Sequence, residues 1–141
     1  MKKILNISLI YFIFAMLGGV IYREVTKYTA FTGKTSLAYV HTHLLVLGVF
    51  FFLLLALFNR DMDLERQKHF KIFLRLYNTA LPGMVIMMFI RGIIQVYGIP
   101  LGNAADAAVS GIAGITHILL FASFLLFFSI LKRAACKNEK V

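Results

Sequence analysis

Apolar residues fill four long runs of the chain, at 4–22, 37–58, 70–97 and 108–131, and polar residues gather in the short stretches between them. Each run approaches or exceeds the ~20 residues an α-helix needs to cross a hydrocarbon core. The predicted fold is therefore all-α, an integral membrane four-helix bundle in a single domain, 1–141. The whole composition agrees: 60% hydrophobic and 15% charged residues leave too little polar surface for a soluble globule of this size. Lys2 and Lys3 precede the first run, as in a secretory signal. That run continues to Gly18-Gly19-Val20-Ile21-Tyr22, longer than the apolar core of a cleaved signal, so a retained helix is expected.

Charge adds direction. Lys2 and Lys3 lie before the first run, Arg60, Arg66, Lys68 and Lys71 around the second link, and Lys132, Arg133, Lys137 and Lys140 after the fourth. The first loop carries Arg23, Lys27 and Lys34, whereas the stretch 98–107 carries no Lys or Arg. By the positive-inside rule both termini are expected in the cytoplasm, with the chain a multi-pass protein of the cell inner membrane. The formal charge of +9 then reads as an inner-face anchor in the lipid bilayer, drawn to anionic lipid, and not as a nucleic-acid footprint. Cys136 falls in the expected cytoplasmic tail, where thiols stay reduced, and implies no disulfide.

The spans are not uniformly apolar. Asn6, Ser8, Ala15, Gly18 and Gly19 mark the first as a packing helix, since small residues let membrane helices approach closely. Ser36 is placed to cap the second, and Pro82-Gly83 should kink the third. Three spans carry ionisable groups: His41 and His43 in the second, Arg91 in the third, His117 in the fourth. At 1.5 Å per residue His41 and His43 lie roughly 6–9 Å from the outer start of their helix, His117 roughly 14 Å and Arg91 about 9 Å from the outer ends of theirs. All four share the outer half of the bilayer. Ionisable groups at that depth are costly and mark sites by default.

Residues i and i+2 stand roughly 200° apart on an α-helix, so His41 and His43 should face opposite ways and cannot easily grip one ion from one helix. Their imidazoles, with His117, suit bis-histidine ligation of haem b between apolar walls. Copper or zinc would lack the usual carboxylate or thiolate companions. A purely structural role would leave the rings hydrogen-bonded to backbone or to Tyr39. Arg91 has no acidic residue within the helix interiors to pair with, so a haem propionate or snorkelling to the interface would satisfy it. Gly111, Gly114 and His117 fall on one narrow face, suited to a flat cofactor or to helix packing. Met84, Met87 and Met88 read as core filler.

The stretch Leu37-Ala38-Tyr39-Val40-His41-Thr42-His43-Leu44 resembles the His-Thr-Asn start of the second helix in the catalytic subunit of cbb-type haem–copper oxidases, with His43 replacing the Asn. There the first His ligates a low-spin haem b, which maps onto His41. The His-x-His spacing is similar to the tenth helix of those subunits, whose two histidines bind two haems on opposite faces. The whole chain also resembles a family of small bacterial four-helix membrane proteins of unknown function. The oxidase resemblance implies a homotrimer that would rebuild a twelve-helix core, one copy offering His41 and its neighbour His43 to the same iron. The His-x-x-x-Tyr pair of the copper site is missing, so oxygen reduction is not expected.

The expected function is that of a membrane haem b protein, for electron transfer or for redox or gas sensing, working with an unidentified redox partner. His41 and His43 are the leading ligands, His117 the reserve and Arg91 the propionate partner. The alternatives are a structural or accessory membrane subunit and a copper-binding membrane protein.

Overall fold

The structure, a computed structural model, describes residues 1–138, with side chains to residue 136. Lys140 and the side chain of Lys137 lie outside the described residues. Four helices are long and apolar enough to cross a membrane: α1 (Lys2–Tyr28), α2 (Leu37–Met62), α3 (Phe70–Tyr97) and α4 (Asn103–Asn138). A short 3₁₀ turn, Leu64–Arg66, joins α2 to α3. The loops at 29–36 and 98–102 share one end of the bundle, called the loop end below.

Three of the helices outrun their apolar runs. Hydropathy marks where lipid contact ends, whereas the helix continues through residues such as Arg23, Glu24 and Lys27 that are tolerated well in a helix. The early start of α4 at Asn103 has a consequence for the site, because it places Asp106 in the first helical turn, where the helix dipole favours an anion. Pro82 stays inside an unbroken α3. Its missing amide leaves the Asn78 carbonyl without its helical donor.

α1 packs along α2, α2 packs on α3 near the loop end, and α3 and α4 form an antiparallel hairpin. α4 meets α2 in the half away from the loop end, where Phe51 stacks on Tyr77 (4.6 Å between centroids) and meets Phe124 and Phe127 edge-on at 5.2 and 5.3 Å. Tyr77, Phe52 and Phe73 are among the largest fully buried side chains of this core.

Glycine sets the closest approaches. A Cβ on Gly92 would stand 2.5 Å from the Leu37 backbone nitrogen, and one on Gly48 would stand 2.6 Å from the Tyr11 Cβ. At the start of α2 the Ser36 side chain makes no cap, contrary to the sequence expectation. Thr35 takes that place: its hydroxyl donates to the Gly92 carbonyl (3.0 Å) and accepts from the Leu37 amide (3.3 Å), while the Ser36 amide donates to Gln95 Oε1 (2.7 Å). The α2 start is thereby pinned to α3.

α2 is not a uniform α-helix. Over Leu44–Phe50 its backbone is a π-helix, beginning directly after His43. Tyr77 Oη–H donates to the Leu47 carbonyl (2.8 Å) and Ser8 Oγ–H to the Val49 carbonyl (3.1 Å), so side chains from α3 and α1 supply donors to this irregular turn.

Candidate functional site at the loop end

The contacts with α3 fix the levels of the three membrane-depth histidines. Leu37 of α2 lies against Gly92, and Thr116 of α4 lies against Gly83. Counting the rise along each helix, His43 sits about 9 Å and His117 about 15 Å below the Leu37–Gly92 level. They are thus about one helical turn apart in depth, on helices that both flank α3. Phe124, seven residues after His117 and so on nearly the same face, packs on Phe51 of α2.

His41 and His43 diverge, as their i, i+2 spacing dictates. The His41 ring turns to α1, where it lies beside Gly19 and runs parallel to Tyr22 at 6.4 Å between centroids. Its Nδ1 is buried with no hydrogen-bond partner. His43 is partly buried, and its Nδ1 lies 2.8 Å from the Tyr39 carbonyl. His117 is exposed within the protomer, with Nδ1 2.7 Å from the Ala113 carbonyl. A carbonyl only accepts, so in each neutral ring the proton sits on Nδ1 and the lone pair on Nε2. Both rings are therefore held by one nitrogen and offer the other as a donor atom to a metal.

The expectation that Arg91 lacks a protein anion is corrected by the early start of α4. Its guanidinium pairs with Asp106 and donates to Ser110 Oγ (2.7 Å), tying the end of α3 to the start of α4. Fifteen residues separate Arg91 from Asp106 across a short hairpin, a relation the sequence could have supplied once that first turn was read as helix. Tyr22 is likewise a missed neighbour of His41; its signal is its position three residues after Gly19 on the face that meets α2.

Gly111 and Gly114 do not serve packing within the protomer: a Cβ added at either meets nothing within 4 Å. Together with His117 they form a smooth, uncovered strip on α4. Among the described residues no group of three or more His, Cys, Asp and Glu is placed to hold a metal ion. Met84 is buried core, and Cys136 is a free, exposed thiol. What the geometry supplies is a set of separately held imidazoles and not a closed metal cage.

Comparison with known proteins yields one match, to a family model described as "Protein of unknown function (DUF2871)", over residues 1–134. No curated protein and no solved structure matches the chain.

Proposed function

The chain belongs to the DUF2871 family, whose function is unknown, and from that premise we propose that it is a membrane haem b protein with His43 and His117 as axial ligands. The observation that carries this reading is the matched state of the two rings. Each donates Nδ1–H to the carbonyl four residues back and leaves Nε2 free, at similar membrane depth on different helices. Metal-ligating histidines almost always have their second nitrogen fixed in this way. A haem needs two such ligands, whereas a tetrahedral zinc site or a copper site would call for further donors.

The ranking among the histidines changes accordingly. His41 lies against α1 with its Nδ1 enclosed, so the exchange of His41 and His43 between neighbouring copies does not fit its position. We assign it a supporting place beside the site. The uncovered Gly111–Gly114 strip suits the face of a flat macrocycle or the helix of a second copy, and a closed homotrimer is one assembly such a contact allows. Arg91 would reach a propionate only in competition with Asp106. Bound haem supplies one-electron redox chemistry, and two imidazoles would fill both axial positions, which favours electron transfer over oxygen activation. The Lys and Arg distribution supports placing both termini on the cytoplasmic side.

A structural or accessory subunit is the second reading, favoured by the fact that the same Nδ1–carbonyl bonds satisfy half of each ring without a ligand. The two separate in protein produced with ample haem. His43→Ala and His117→Ala should each remove the haem Soret band while helix content stays. An undiminished band in both variants would end the assignment.

A further inference from the structure

The π turn of α2 lies between two regions whose docking is fixed independently. On the loop side, Thr35 binds Gly92 and His41 lies over Gly19. On the far side, Phe52, Leu55 and Ala56 are buried in the core. An α-helix advances about 100° per residue, so one residue more or less between these regions would rotate one against the other by about that angle. A π turn takes up one residue without breaking the helix, and such turns occur frequently at functional sites. Here it starts at the residue after His43 and is contacted from both sides: Tyr11 lies on Gly48 at its centre, and the hydroxyls of Ser8 and Tyr77 donate to its carbonyls.

We infer that Ser8 and Tyr77 are positioning residues: by holding the π turn they set which face of α2 each histidine takes. In this register His41 meets Tyr22 and His43 is free of α1. Without the turn the buried core keeps the far half of α2 in place, and the His41–His43 segment rotates. The connection to haem rests on the reading above, but the positioning itself does not.

The test uses the full chain in detergent, with isotope-labelled histidine followed by NMR, the His41 ring signal being assigned with His41→Gln. Tyr22→Leu gives the shift that marks loss of the Tyr22 ring. Tyr77→Phe combined with Ser8→Ala, and separately deletion of Val46 from the π turn, should move the His41 signal in the same direction with helix content retained. Tyr77→Phe alone, which keeps the buried ring, should give part of that movement and serves if the others do not fold. In haem-supplied protein the same variants should lose most of the low-spin bis-imidazole EPR signal. A His41 signal that stays in place in Tyr77→Phe, while Tyr22→Leu moves it, overturns the positioning role whatever the haem content. A moved signal in protein that never takes up haem keeps the positioning role and removes the haem reading alone.

Discussion

The imidazole of His41 lies parallel to the ring of Tyr22, with 17° between the planes, and the two belong to different helices. The contact encloses His41 Nδ1 without giving it a partner. An enclosed, unpaired polar atom costs stability, and an apolar side chain of similar size avoids that cost. His41→Leu is therefore expected to leave stability unchanged or raise it by up to about 1 kcal/mol, measured by denaturant titration in detergent. The same variant should keep its haem. A collapse of haem binding in His41→Leu would return His41 to the ligand set.

Arg91 and Asp106 form an ion pair whose side chains are 26% and 52% exposed within the protomer. Partial exposure screens the attraction, so a double-mutant cycle with Arg91→Ala and Asp106→Ala should give a coupling of about 0.5–1 kcal/mol. Each single variant should loosen the 98–102 loop to added protease more than it changes haem occupancy. Full loss of haem in Arg91→Ala, with Asp106→Ala unaffected, would instead mark Arg91 as the propionate partner.

The glycines divide into two groups with opposite expectations. Gly48 and Gly92 have no room for a methyl group, so Gly48→Ala and Gly92→Ala should destabilise by about 1–3 kcal/mol, as overpacking does. Gly111 and Gly114 face open space, so alanine there should be neutral or stabilising by up to about 1 kcal/mol through helix propensity. Gly114→Leu should leave the protomer folded and lower haem occupancy or the association of copies. Wild-type haem content and oligomeric mass in Gly114→Leu would remove the strip from the site.

The four spans and the divergence of His41 and His43 were legible in the sequence because both follow from helix geometry and apolar length. The Arg91 partner was not, since hydropathy fades before α4 begins and Asp106 therefore looked like loop. The cap on Thr35 depends on a carbonyl of α3 brought close by Gly92, which no local pattern reveals. The π turn is hidden for the same reason: Leu44–Phe50 is an ordinary apolar stretch, and its donors come from Ser8 and Tyr77 on other helices. The oxidase resemblance drew attention to His41, yet the free Nε2 atoms shift the weight to His43 and His117, whose bonds to Tyr39 and Ala113 become visible only with coordinates.

The central claim is that these imidazoles hold haem, and a reduced-minus-oxidised visible spectrum of purified protein, with iron quantified on the same sample, tests it most directly. Sharp b-type bands with stoichiometric iron, lost in His43→Ala and His117→Ala, are the expected result. Protein that remains colourless and iron-free after production with ample haem would contradict it and leave the structural reading in its place.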